Sequence, residues 1–118
     1  MTVSGASRNS WKVLPLPARR EPLNLFLSFS DVDADKLRQG LIPASMDDRW
    51  FIFFEDGWLY FHRSWTGACI YAVRLDGSPM GVRVIDSWAS RDVDHYNSPG
   101  ADHDRETVTR LIQSLLRR

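Results

Sequence analysis

The sequence has little of what marks a secreted, membrane-spanning or nucleic-acid-binding protein. Cys69 is the single cysteine among 118 residues, so no intrachain disulfide can form. No apolar run approaches the roughly 20 residues that a membrane-spanning helix needs, and the N-terminus lacks the charged head and apolar segment of a signal peptide. Basic and acidic side chains number 15 each. We therefore expect a cytoplasmic protein that binds neither membranes nor nucleic acid.

The length of the chain predicts one domain whose core needs neither disulfides nor a metal. Three prolines and a basic pair fall within residues 1–22, which we expect to be an extended or partly disordered arm. Residues 23–118 then form a single domain. Five tryptophans are many for this length, and such rings line cores, pockets and interfaces.

Residues 50–75 contain three runs of aromatic and β-branched side chains, separated by two short turns that contain glycine. Such runs favour strands. Asp56-Gly57 suits the positive φ angles of a two-residue hairpin loop, and this loop places Phe51 opposite His62. Both faces of the first strand are substantially apolar, which is typical of a strand covered on both sides.

A second loop at Thr66-Gly67 and a third turn at residues 76–79 extend this alignment to two more strands. In the resulting register His62 lies opposite Tyr71. Cross-strand partners share a sheet face, so five polar side chains meet at one end of one face: His62, Ser64, Cys69, Tyr71 and Asp86.

We predict an α+β fold in which a four-stranded antiparallel meander packs against a C-terminal α-helix. The strands are expected at residues 50–54, 58–64, 68–75 and 81–88, and residues 23–29 form an edge strand or a short helix. The helices are predicted from capping residues and apolar spacing. Ser30 precedes a short helix over 31–40 that ends at Gly40, and Asp102 or Asp104 caps a helix that runs from about 104 to 117.

The second apolar face of this sheet also needs a cover. The N-terminal arm, a ligand or a second subunit can supply it. An uncovered apolar face of this kind is typical of an interface, so a homodimer is an expected assembly.

Two blocks dominate the centre of the chain, Trp50-Phe51-Ile52-Phe53-Phe54-Glu55 and Leu59-Tyr60-Phe61-His62-Arg63-Ser64-Trp65-Thr66-Gly67, followed by Ile70-Tyr71 and by residues 88–96. Together they resemble the core of a family of small uncharacterised bacterial proteins. The resemblance covers about half of the chain. It carries over no reaction and no catalytic residue.

The polar corner of the predicted sheet has two functional interpretations. A small hydrolase or transferase would use His62 as general acid/base, Ser64 or Cys69 as nucleophile and Asp86 to orient the imidazole. However, His62 and Ser64 lie two residues apart on one strand, which strains a direct hydrogen bond between them. A binding or interaction module is therefore the leading hypothesis.

The binding hypothesis places the site between the His62–Thr66 end of the hairpin and the long loop at residues 89–104. Its donors and rings suit an anionic, nucleotide-like small molecule, or a protein partner. The predicted ligand-binding residues are Arg63, Trp65, Thr66, Tyr71, Arg91 and Tyr96. Alternatively, Arg63 stacks on Trp50 or pairs with an acidic side chain, and Trp65 packs over the C-terminal helix. No spacing matches a zinc or calcium motif, so neither a metal nor another cofactor is expected.

Overall fold

An antiparallel sheet with two helices forms the frame of the protein. The computed structural model describes residues 5–45 and 47–117, and within them the sheet has six strands rather than the four expected. The α+β class is confirmed. The strands are ordered β1-β6-β5-β4-β3, and β2 also pairs with β6. In chain order the elements are β1 (Arg20–Pro22), β2 (Ser28–Phe29), α1 (Asp31–Gln39), β3 (Trp50–Glu55), β4 (Trp58–Arg63), β5 (Cys69–Ser78), β6 (Gly81–Ser90) and α2 (Ala101–Leu116).

The first hairpin, β3–β4, has the predicted register. Phe51 lies opposite His62 and Glu55 lies opposite Trp58. The loop residues Asp56 and Gly57 have φ angles of 51° and 89°, as a tight two-residue hairpin loop requires.

The predicted register of the second hairpin, β4–β5, is wrong. Tyr71 lies opposite Phe61, and a bulge after Phe61 then places Cys69 opposite His62. The turn is longer than two residues because the Arg63 amide donates to the carbonyl of Ala68, at 2.8 Å, across residues 64–67. A slip of one position moves a side chain to the other sheet face, so Tyr71 faces the helices and His62 does not.

The predicted register of the third hairpin, β5–β6, is also wrong. Ser78 pairs with Gly81 across Pro79 and Met80, so the expected turn residues 76–78 are part of β5. Asp86 consequently lies opposite Arg74. The longer strand carries this carboxylate away from the pair formed by His62 and Cys69.

The edge that pairs with β6 is an interrupted strand. β1 pairs with the C-terminal end of β6 and β2 with its N-terminal part. Asn24 interrupts this edge with a φ of 55°, and the Leu25 amide donates to the Ser87 hydroxyl at 3.2 Å. Of the two alternatives for residues 23–29, the edge strand is confirmed at its end, Ser28–Phe29, and the helix is wrong.

Both helices pack on one sheet face and bury the main core. The Ser30 hydroxyl accepts from the Asp33 amide at 3.1 Å, and α1 ends at Gly40 as predicted. α2 begins earlier than predicted, with Gly100 rather than an aspartate at its N-cap. Its apolar stripe is buried together with residues of α1 and the central strands: Ala34, Leu37, Ile52, Leu59, Phe61, Val108, Ile112 and Leu115. Among the described residues, no helix has the length and apolarity needed to cross a bilayer.

The opposite sheet face is covered in part by the N-terminal arm. Ala6 and Val13 pack against the ring of Phe51 or Phe53. The Trp11 indole N–H donates to the Ser64 carbonyl at 2.8 Å, and the Leu14 amide donates to the Gly67 carbonyl at 2.9 Å. Of the three covers considered for this face, the arm therefore supplies one. Residues 1–4 of the predicted arm lie outside the described residues, and the expected homodimer stays a prediction.

Candidate functional site

A cavity of about 580 Å³ opens at the end of the sheet where the β4–β5 turn meets two other segments. We call it the arginine cavity. Its lining comes from the segment before β3, from the turn after β4 and from the loop after β6. The lining residues are Asp47, Arg49, Arg63, Trp65, Thr66 and His95.

Arg63 reaches this cavity from the end of β4. Its guanidinium carbon lies 4.7 Å from the centre of the Trp50 ring, so the predicted stacking on Trp50 is confirmed. Such a stack uses the flat face of the guanidinium and leaves the N–H groups at its edge for other partners. Arg63 therefore both packs on Trp50 and lines the cavity.

Arg49 is brought beside Arg63 by two hydrogen bonds to the β4–β5 turn. The Ser64 amide donates to the Arg49 carbonyl at 2.9 Å, and the Ser64 hydroxyl donates to the Asp48 carbonyl at 2.6 Å. Ser64 thus fixes the backbone that carries Arg49. Among the described residues, neither Arg49 nor Arg63 has a carboxylate within 4.0 Å.

The hairpin tip supplies an aromatic ring and a hydroxyl to the same cavity. Trp65 is 65% exposed, which contradicts its burial against the C-terminal helix. The Thr66 hydroxyl accepts from the Ala68 amide at 3.2 Å, and this bond orders the turn. His95 comes from the opposite side, in a turn closed by its amide and the Asp92 carbonyl at 3.1 Å.

The loop that carries His95 is anchored by a fully buried carboxylate in the first turn of α2. Asp104 accepts from Arg91 Nη2 at 2.8 Å, from the Ser98 hydroxyl at 2.8 Å and from the Tyr71 hydroxyl at 3.3 Å. It also accepts from the Tyr96 hydroxyl. Three predicted ligand-binding residues, Tyr71, Arg91 and Tyr96, therefore contact Asp104 and are absent from the lining of the arginine cavity.

In this hydrogen-bonded cluster the Asp104 carboxylate stays ionised, and the hydroxyls of Tyr71 and Tyr96 stay protonated. Burial by itself raises the pKa of Asp104, but hydrogen bonds from Tyr96, Ser98 and Arg91 outweigh it, so the pKa is lowered. Burial, with the Tyr96 hydroxyl as the next cause, raises the pKa of Tyr71. The Tyr71 ring also stacks on Trp50, with centroids 5.7 Å apart. Through this stack, the cluster around Asp104 is in packing contact with Trp50, the ring that Arg63 covers.

His62 lies on the other sheet face and is only 1% exposed. Its Nδ1 is 2.8 Å from the Gly67 carbonyl. A carbonyl only accepts, so Nδ1 carries a ring hydrogen, and in the neutral ring that burial favours Nε2 then has the lone pair. Nε2 has no hydrogen-bond partner among the described residues. Burial is the main cause that lowers the pKa of His62.

The predicted catalytic residues are not brought together. The Ser64 hydroxyl is engaged with Asp48, and Asp86 accepts from the Ser87 amide at 2.8 Å in an exposed position. The Cys69 thiol donates to the Tyr71 carbonyl, and burial raises its pKa to about 12. In the described part of the chain, no hydrogen bond joins His62 to any of these three side chains.

Neither a metal-ligand cluster nor a known relative assigns chemistry to the arginine cavity. Within residues 5–45 and 47–117, no three His, Cys, Asp or Glu side chains are arranged to hold a metal ion. Comparison of the chain with protein-family models, curated proteins and solved structures finds no match. The residues that line the cavity are therefore the basis for its proposed function.

The sequence predicts part of this lining. Arg63, Trp65 and Thr66 are predicted ligand-binding residues, and His95 belongs to the loop at residues 89–104 that is expected to form the other side of the site. Asp47 and Arg49 are not predicted, because they lie in a segment before β3 that meets the hairpin end only in the fold. The one available signal for them is an arginine directly before a buried aromatic strand.

Proposed function

We propose that the protein is a small binding module for an anionic, nucleotide-like molecule held in the arginine cavity. The observation that carries this proposal is the pair Arg49 and Arg63, which have no carboxylate partner among the described residues. A guanidinium matches the oxygens of phosphate through two parallel hydrogen bonds. A phosphate between these side chains would supply the missing negative charge.

The other residues of the cavity suit the remainder of such a ligand. The Trp65 indole offers a face for a base, and a base stacked on an aromatic side chain contributes about 1–3 kcal/mol. Thr66 and His95 offer polar groups, and Asp47 can accept from sugar hydroxyls. The volume of about 580 Å³ lies in the range of small-molecule sites.

The competing proposal, a hydrolase or transferase that uses His62 as general acid/base, has less support. Its candidate nucleophiles Ser64 and Cys69 are engaged with backbone carbonyls. In addition, His62 lines a different cavity from Arg63. We therefore propose ligand binding without a catalysed reaction as the function.

The proposal is tested by calorimetric titration of the full chain with adenosine monophosphate and with adenosine. We expect the monophosphate to bind at least about tenfold more tightly, because hydrogen bonds to charged groups contribute about 1.5–3 kcal/mol. Arg63→Gln and Arg49→Gln should each remove most of that difference.

Arg74→Gln is the matched control for these two substitutions. Arg74 also lies over a tryptophan, with its guanidinium carbon 6.0 Å from the centre of the Trp58 ring, and it is outside the cavity lining. Its substitution should leave the affinity unchanged. Equal binding of the two ligands, or an equal loss in Arg74→Gln and Arg63→Gln, would refute the proposal.

A further inference from the structure

We infer that a second cavity, beneath the N-terminal arm, binds a small neutral molecule with an apolar body and one N–H or O–H group. The cavity has a volume of about 320 Å³, and we call it the arm cavity. In the described part of the chain it shares no lining residue with the arginine cavity. It is lined by Arg8, Val13, Leu14, Pro15, Leu16, Phe53, Tyr60 and His62.

The hydrogen-bond group is inferred from His62. Its Nδ1 donates to the Gly67 carbonyl, so the lone pair of Nε2 is a buried acceptor with no donor among the described residues. Buried polar atoms are nearly always paired, by protein, by water or by a ligand. A ligand that donates to Nε2 would complete the pairing, whereas a ligand that only accepts would not.

The imidazole cannot easily turn to find another partner. The Gly67 carbonyl that holds Nδ1 also accepts from the Leu14 amide at 2.9 Å. The ring is stacked on Phe53, with centroids 5.3 Å apart, and forms an edge-to-face pair with Tyr60, with centroids 6.5 Å apart. The same contacts that hold the arm in place therefore hold the acceptor in a fixed orientation.

The walls of the cavity indicate a neutral and apolar ligand body. Four consecutive arm residues, Val13, Leu14, Pro15 and Leu16, form one wall, and aromatic rings form the other. Among the described residues that line the cavity, the single cation is Arg8, which forms two hydrogen bonds with Glu55, so its charge is already compensated. Apolar cavities of roughly 150 Å³ bind benzene, so about 320 Å³ admits a bicyclic aromatic molecule.

Indole and 1-methylindole test this inference because they differ only at the nitrogen that donates. We expect indole to bind the full chain about tenfold more tightly than 1-methylindole, the loss typical of an unpaired buried acceptor. In His62→Phe, which keeps a ring but removes the acceptor, the two affinities should become similar. A purely steric effect of the methyl group would persist in this variant.

Two further measurements locate the site and do not depend on the folding of His62→Phe. The ¹⁵N resonance of His62 Nε2 should shift with indole and stay unchanged with 1-methylindole. Val13→Trp, which fills the arm cavity, should abolish indole binding, while Met80→Trp, at a distant and 95% exposed position, should not. Absence of saturable indole binding, equal affinities for the two probes in the unmodified chain, or an unmoved His62 signal would each overturn the inference.

Discussion

Arg63 shows how one side chain can serve both packing and a candidate site. Its guanidinium lies over Trp50, whose ring stacks in turn on the buried Tyr71. An exposed cation–π contact contributes only about 0.5–1 kcal/mol, so Arg63→Gln should fold normally. The contact matters more for orientation, because it holds the guanidinium at the cavity with its N–H groups available.

The buried imidazole of His62 should make the free energy of unfolding depend on pH. Because burial lowers its pKa below the ordinary 6.5, the unfolded chain takes up this proton at a higher pH than the folded chain. The associated stability is fully present above pH 6.5 and is lost as the pH falls below that value. We expect the free energy of unfolding, measured in urea, to fall from about pH 7 to about pH 5.

The matched variant for this prediction is His62→Phe, whose stability should fall less over the same interval. Asp104 titrates separately. Its pKa is lowered from the ordinary 3.8, so its contribution is present above that value and is lost only in stronger acid. Identical pH dependence in the variant and the unmodified chain would contradict the assignment to His62.

At the scale of elements, the two hairpins of the central sheet differ in how far sequence determines them. Asp56-Gly57 fixes the β3–β4 register through local backbone preference. The β4–β5 turn depends instead on contacts from elsewhere, since the Gly67 carbonyl binds both the His62 ring and the arm residue Leu14. A local rule cannot anticipate Leu14, which is more than 50 residues away from Gly67 in the sequence.

The same distinction explains the candidate site. Arg63, Trp65 and Thr66 follow from a strand that ends in a turn, and the sequence predicts them. Asp47 and Arg49 join them only through tertiary packing. The sequence predicts Asp104 as a possible helix cap but not as the fully buried acceptor of four hydrogen bonds, because its sequence neighbours are polar.

Two glycines, Gly40 between α1 and β3 and Gly57 in the β3–β4 loop, should tolerate an added side chain very differently. Both Gly40 and Gly57 have positive φ angles, 67° and 89°. A Cβ on Gly40 would lie 2.1 Å from the Ile52 carbonyl oxygen, whereas one on Gly57 would meet none of the described residues within 4 Å. Gly40→Ala should therefore lower the free energy of unfolding by about 2 kcal/mol more than Gly57→Ala. Equal losses in urea denaturation would show that the junction tolerates the added carbon.

Two aspartates in the first turn of α2 allow a second matched pair of substitutions. Asp104→Asn should destabilise the fold by about 2–3 kcal/mol, because it removes a buried charge that Arg91 and three hydroxyl groups contact. Asp102→Asn, on a 97% exposed side chain paired with Arg105, should cost less than about 1 kcal/mol. Urea denaturation compares the two, and similar losses would contradict the anchoring role of Asp104.

At the scale of the whole molecule, the sheet presents different chemistry in two places. One end has two arginines without a carboxylate partner among the described residues, while the face beneath the arm has aliphatic walls and the neutral acceptor of His62. Salt screens exposed charges but acts little on neutral contacts. Raising the salt concentration from about 50 to about 500 mM should therefore weaken the binding of adenosine monophosphate several-fold and leave the affinity for indole nearly unchanged. Calorimetry at both salt concentrations checks this, and equal sensitivity would show that the two ligands do not use these two sites.

The most direct test of the central claim, that the arginine cavity binds an anion, is an NMR titration of the ¹⁵N-labelled full chain with adenosine monophosphate. The side-chain N–H signals of Arg63 and Trp65 should shift together and saturate. Those of Arg74 and Trp58, the matched pair outside the cavity, should remain in place. Unchanged Arg63 and Trp65 signals at saturating ligand, or shifts confined to Arg74 and Trp58, would contradict the assignment.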